Sequence, residues 1–220
     1  METMNRASLR RVARSCRATA MSLALALGAA SAQAGGGPFG IDHRVGDGEA
    51  AGIWNRRNQI VLQDATALIV VAGALWQGDD TRLGHTTWQS LDSLLVGSVA
   101  AAGLKLAFGR ARPSQTEDPN QWFKGRGHSS FPSGEVMEIT TAVTPYVLEY
   151  GAEHPAVWAI ELLPAYDAIA RVKSRAHWQS DVLASFALGT AIGCYAHSRP
   201  SSLSVGVLPR GMTIGWKRAF

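Results

Sequence analysis

The chain has 220 residues, with 21 Lys and Arg against 17 Asp and Glu, a net charge of +4, and 46% hydrophobic residues. That length suits one domain with a proper core. Five of the cations (Arg6, Arg10, Arg11, Arg14, Arg17) and one of the acids fall within residues 1–34, leaving 16 of each sign beyond them, and a near-neutral remainder excludes nucleic acid or a broadly anionic surface as partner.

Those five arginines precede an apolar stretch, Met21 to Ala30, that ends in Ala32-Gln33-Ala34, a small-x-small pattern. Residues 1–34 are therefore expected to be a cleaved signal peptide and the mature protein to be periplasmic. Residues 35–54 are glycine-rich and polar, an extended lead-in. A helical domain is expected over residues 55–200. Its apolar segments run from about Ala65 to Trp76, Ser93 to Leu104, Val136 to Val147 and Val182 to Tyr195. None reaches the roughly 18 uninterrupted residues of a spanning helix, which predicts core helices of a soluble bundle, with membrane association as the alternative. A further helix is expected from Pro155 to about Ile169, kinked at Pro164.

Loops are expected at Gly78 to Gly84 and at Pro113 to Phe131; the second carries Trp122, Phe123 and Lys124 and is placed as a lid. In residues 201–220, Leu203, Val205 and Val207 alternate, Pro209-Arg210-Gly211 marks a turn, and Met212, Ile214 and Trp216 alternate again. This predicts a β-hairpin packed on the bundle.

Three segments carry chemistry. In KLAFGRARP, Lys105 to Pro113, seven residues separate Lys105 from Arg112, which on a helix is about 20° short of two turns, so both heads can face one anion. Complementing the negative end of a helix that Pro113 stops is the plain alternative for these cations. In HSSFPSGEVMEIT, His128 to Thr140, a Pro-Ser-Gly turn feeds a helix and aims the N–H groups near Ser133 and Gly134, with the Ser133 hydroxyl, at whatever sits at its N-terminus. In ARVKSRAHWQSD, Ala170 to Asp181, a helical step of four would put Asp181 within reach of an imidazole nitrogen of His177, while Arg171 supplies a forked donor. Asp181 as a helix cap beside a surface histidine is the plain alternative there.

Together and in this order the segments resemble the signature of the type 2 phosphatidic acid phosphatase superfamily, which includes bacterial class A acid phosphatases and vanadium haloperoxidases. Lys105, Arg112 and Pro113 fit lysine, six residues, Arg-Pro; Pro132, Ser133 and Gly134 fit most of Pro-Ser-Gly-His; Arg171, His177 and Asp181 fit the last element with its spacings kept. The resemblance implies an all-α helical bundle with the site at one end, and a phosphomonoesterase acting on a lipid phosphate such as phosphatidic acid or on small organic phosphates. By it, His177 would attack phosphorus to form a phosphohistidine and Asp181 would orient His177. Lys105, Arg112, Arg171, Ser133 and the Gly134 amide would hold the equatorial oxygens, an arrangement that suits a phosphoryl transition state. No metal or cofactor is implied; vanadate enters only as a phosphate mimic or in the haloperoxidase alternative. Glu135 stands where the family has the histidine that protonates the leaving group, and Ala170 where it usually has Ser. Glu135 and His128 are the candidate donors, with His128 assisted by Glu135 as the expectation. A phosphate-binding homologue that lost turnover with this histidine is the non-enzymatic alternative.

Overall fold

The computed structural model describes residues 36–46, 48, 51–199, 203–208 and 211–216, so the expected leader lies outside them. Among the described residues the helices are α1 (Arg56–Gln77), α2 (Arg82–Phe108), α3 (Gly134–Tyr150), α4 (Leu162–Lys173) and α5 (Gln179–His197). The bundle is all-α, as the resemblance implied. After it, β1 (Leu203–Leu208) and β2 (Gly211–Trp216) pair antiparallel with Leu203 opposite Trp216, the hairpin that the alternation predicted.

Local chemistry sets the helix ends. The Asn55 side chain accepts from the Arg57 N–H to start α1, and the Thr81 hydroxyl accepts from the Gly84 N–H to start α2. The loop expected over Gly78 to Gly84 is therefore shorter. At the other end of α2, Gly109 turns left-handed (φ 42, ψ 48), a conformation that glycine adopts at little cost. This corrects the reading that Lys105 and Arg112 share a helix: α2 stops at Phe108, and Arg112 follows in the connection beyond it. Between α3 and α4, residues Pro155–Glu161 form a 3₁₀ turn, and Pro164 falls in the first turn of α4, where its missing N–H breaks no helical bond. The single kinked helix expected there is thus two elements.

Two clusters of buried side chains hold the helices together. One joins Val136 of α3 to Ala168 and Val172 of α4 and to Val182 and Phe186 of α5; the other joins Val70 and Ala74 of α1 to Trp88 and Leu91 of α2 and Ala142 of α3. α3 and α5 approach closely because α5 presents Gly189 and Gly193 on one face. A Cβ at Gly189 would meet Thr140 Cβ at 2.8 Å, and one at Gly193 would meet Thr144 Cβ at 2.5 Å. Between α2 and α3, Ser90 Oγ donates to the Ala142 carbonyl at 2.5 Å and Ser93 Oγ to the Thr141 carbonyl at 2.7 Å.

The outer faces of α1 and α2 differ from the expected soluble bundle. Both helices are long and apolar enough to cross a membrane, and only 17% and 22% of their most apolar stretches are buried. Leu68, Ile69 and Trp76 of α1 and Val99 and Leu106 of α2 are exposed. Counting uninterrupted apolar runs missed them because isolated polar residues, such as Gln63 and Asp64 in α1 or Gln89 and Asp92 in α2, split each helix into shorter runs without making it hydrophilic.

α1 runs away from the end that carries Arg56, and α2 returns to the end that carries Lys105. The N-termini of α3 and α5 and the C-terminus of α4 gather at that same end, so the three motif segments meet there.

Candidate active site

His177 precedes α5 by two residues and is 3% exposed. Its Nδ1 lies 2.5 Å from the Ser130 carbonyl. A carbonyl only accepts, so Nδ1 carries the proton and Nε2 keeps its lone pair. Burial lowers the His177 pKa well below its ordinary value, and Arg171, Lys105 and Arg112 push it the same way against the Ser130 carbonyl. The imidazole is therefore neutral, as a nucleophile must be.

Asp181 does not make the hydrogen bond expected of it. Its Oδ2 lies 4.0 Å from His177 Nδ1, and the Ser130 carbonyl orients the ring instead. The carboxylate is taken up by other donors. Arg110 Nη1 donates to Oδ1 at 2.5 Å, Ser130 Oγ to Oδ2 at 2.5 Å, and the Trp178 N–H to Oδ2 at 3.0 Å. Asp181 thus caps the first turn of α5, the plainer alternative, while fixing the residue whose carbonyl holds His177. Burial raises its pKa, with Arg110 and Ser130 pulling it down.

Arg110 has no exposure and joins this network to the N-terminal lead-in. Its Nη2 donates to Asp42 Oδ2 at 2.6 Å, and Asp42 also accepts from the Ser180 N–H and hydroxyl at 2.8 and 2.7 Å. The lead-in is therefore more ordered than its glycine content suggested. Gly36 and Asp42 form a backbone bridge, and Asp42 is buried. Sequence reasoning missed Asp42 and Ser130, and read Arg110 only as a helix-end cation. No local signal separated the two arginines: an alternating pattern would put residues two apart on one side, yet Arg110 is buried on Asp42 and Asp181 while Arg112 lines the cleft.

The anion-binding candidates converge. Lys105 Nζ donates to the Ser129 and Pro132 carbonyls at 3.0 and 2.6 Å, pinning the segment before α3, and Arg112 Nη2 donates to Ser129 Oγ at 3.1 Å. Arg171 Nη1 donates to Gln59 Oε1 at 3.1 Å, while its Nε is buried without a protein partner. Ser133 Oγ is buried and unpartnered too, at the N-terminus of α3, where the Gly134 amide is among the N–H groups left free by helix geometry. Burial lowers the pKa of both Arg112 and Arg171, and Arg56 repels each of them. A cleft of about 590 Å³ opens between Arg56, Arg112, Ser114, Glu135, Arg171, Ser174 and Ala176. The crowded cations Arg56, Arg112 and Arg171 favour an anion there, whereas Lys105, Ser133 and His177 are not among the residues that line this cleft.

The two candidate proton donors stand differently. Glu135 lines the cleft, but Arg56 donates to both of its oxygens, at 2.5 and 2.7 Å. His128 is half-buried, its Nδ1 3.3 Å from Gln115 Oε1, and it does not line that cleft. The structure does not bring His128 against Glu135. In the loop expected to be a lid, Trp122 packs on Phe108, Phe131 and the Arg110 guanidinium, which ties it to the bundle; Phe123 is exposed.

Comparison with known proteins gives this geometry a context. A stretch of 107 residues is 33% identical to a lipid A 1-phosphatase of Porphyromonas gingivalis, covering 47% of this chain and 21% of that protein. The chain thus spans about a fifth of the length of that relative. No solved structure matches the chain. A family model of the PAP2 superfamily matches residues 86–202, more than half of the chain and nearly all of the span from α2 through α5, including Lys105, Arg112, Ser133, Arg171, His177 and Asp181, and the chain belongs to that superfamily.

Proposed function

We propose that the protein is a phosphatase that hydrolyses a lipid phosphate monoester, releasing phosphate, through a phosphohistidine on His177. The observation that carries this reading is the state of His177: buried, neutral, with Nδ1 bound to the Ser130 carbonyl and Nε2 left with its lone pair beside three cations. Nε2 attacks phosphorus as the bond to the leaving oxygen breaks. Lys105, Arg112, Arg171, Ser133 and the Gly134 amide hold the three remaining oxygens, where charge accumulates. The leaving oxygen takes its proton from a water in the open cleft, and the hydroxide so formed attacks phosphorus in the second step, cleaving the N–P bond to release phosphate and restore the imidazole. Asp181 acts at one remove, through Ser130.

Two features favour a lipid over a small soluble ester. α1 and α2 form an antiparallel pair of 22 and 27 residues with exposed apolar faces, about 33 and 40 Å long. Arg56 and Lys105 place the site at one end of that pair. A bilayer around these faces would set the site at headgroup depth, where the phosphate of a lipid lies. The partly aligned relative named for lipid A supports the same class. We read the site as lying on the exported side, in the periplasm, with residues 1–34 as leader.

Binding without turnover is the second reading, favoured by the engagement of both Glu135 oxygens as acceptors from Arg56, at the position where the family has its proton-donating histidine. Phosphate release from phosphatidic acid in mixed micelles with EDTA present separates the two. The catalytic reading expects continuous release and an acid-labile phosphoenzyme on His177. Stoichiometric binding without release would establish the other.

A further inference from the structure

Arg56 belongs to none of the three motif segments, yet it stands on the wall of the cleft with Arg112 and Arg171. It opens α1, its side chain is 47% exposed, and both of its terminal nitrogens are engaged by Glu135, at 2.5 and 2.7 Å. Glu135 Oε1 also lies 3.5 Å from Arg171 Nη1. Gln59 Oε1 accepts from Arg56 Nη1 at 3.3 Å and from Arg171 Nη1 at 3.1 Å. One carboxylate and one amide oxygen therefore hold together two guanidinium groups from α1 and α4, beside a third on Arg112.

Three cations against one carboxylate leave this wall net positive. A phosphate group carries up to two negative charges and three acceptor oxygens, so it competes with the single charge of Glu135 for the same forked donors. Arg56 is the more exposed of the two guanidinium groups that Glu135 touches, and the one whose side chain can turn with little loss of packing.

We propose that Arg56 is a further phosphate ligand of this site, held on Glu135 while the site is empty and transferred to the phosphate group when it enters. Glu135 is then an internal anion that competes with substrate. The inference rests on the phosphatase reading, since it assumes that phosphate binds between Arg112 and Arg171.

Binding of inorganic phosphate to the full chain, measured by titration calorimetry, tests it with five proteins: the parent, Glu135→Gln, Arg56→Ala, the double variant, and Arg171→Ala. Glu135→Gln should tighten phosphate several-fold by releasing Arg56. Adding Arg56→Ala to Glu135→Gln should weaken phosphate by about tenfold or more, the worth of a charge-assisted hydrogen bond. Equal affinities for Glu135→Gln and the double variant would mean that Arg56 serves only to pair Glu135, and would overturn the proposal. Loss of affinity in Arg171→Ala with that equality sinks the role of Arg56 alone; unchanged affinity in Arg171→Ala sinks the site itself. Arg56→Lys in the Glu135→Gln background covers the case in which the alanine variant does not fold, and it should still weaken phosphate, because an ammonium cannot reproduce the fork.

Discussion

Two arginines at opposite ends of the bundle each bridge two carboxylates. At the site end Arg110 joins Asp42 to Asp181, and all three side chains are fully buried. At the far end Arg82 joins Glu149 and Glu153 at 2.5 and 2.7 Å, with its side chain 46% exposed. The contacts are equally short, but the physics differs. Water screens and replaces the contacts of Arg82, whereas around Arg110 nothing but protein can balance two buried carboxylates. The site end is therefore a network in which each member is held by the others, and its purpose is position. The chain from Asp42 through Arg110 and Asp181 to Ser130 ends on the carbonyl that orients His177.

That contrast can be broken experimentally. The largest effect expected is on chemistry: His177→Ala should lower turnover by about 10⁴-fold or more and abolish the phosphoenzyme, measured as phosphate release and as acid-labile label, because no other group replaces a covalent nucleophile. Turnover near the parental rate in this variant would refute the mechanism. Next in size is Arg110→Ala, which should destabilise the fold by about 3–5 kcal/mol in chemical denaturation, the cost of stranding buried charges. Arg82→Ala should leave the denaturation midpoint almost unchanged. Equal effects of the two would mean that burial does not separate these arginines.

Much of the site was legible because its chemistry depends on residue type at fixed spacing. Lys105, Arg112, Ser133, Gly134, Arg171, His177 and Asp181 all gather at one end of the bundle. What was not legible depends on contacts between distant segments. Asp42 meets Arg110 across 68 residues, and Arg56 meets Glu135 across 79. No local pattern announces such pairs. The orienting partner of His177 was misread for the same reason: a backbone carbonyl has no sequence signature, while an aspartate four residues away does. The helical fold followed from the family resemblance and from apolar runs read as helices, but the outward faces of α1 and α2 did not, because exposure depends on what the other helices leave uncovered.

A smaller effect than that of Arg110→Ala is expected between the two ends, where carboxyl groups are buried without any hydrogen-bond partner among the described residues. Asp167 of α4 has no exposure and both of its oxygens are unpaired; Glu161, at the end of the 3₁₀ turn, likewise has both oxygens buried and unpaired. Burial pushes Asp167 up to about 7, with Glu135 adding to the rise and Arg171 and Arg56 opposing it, and burial alone pushes Glu161 up to about 7. Both pKa values are higher in the folded than in the unfolded state, so the folded protein holds these protons more tightly. Their contribution to stability is whole below the unfolded values near 4 and is lost as pH rises through about 7. For Asp167 the full difference from 3.8 approaches about 4 kcal/mol, and local opening to water should reduce the observed effect to about 2 kcal/mol. Asp167→Asn, which keeps the shape and removes the ionisation, should therefore raise the melting temperature at pH 8 and change it little below about pH 3.5. The Asp167→Asn, Glu161→Gln double variant should flatten the pH dependence further. A melting temperature for Asp167→Asn that falls at pH 8 would mean that Asp167 is held by a cation, as Asp42 and Asp181 are held by Arg110, and that the distinction between the satisfied end and this region is false.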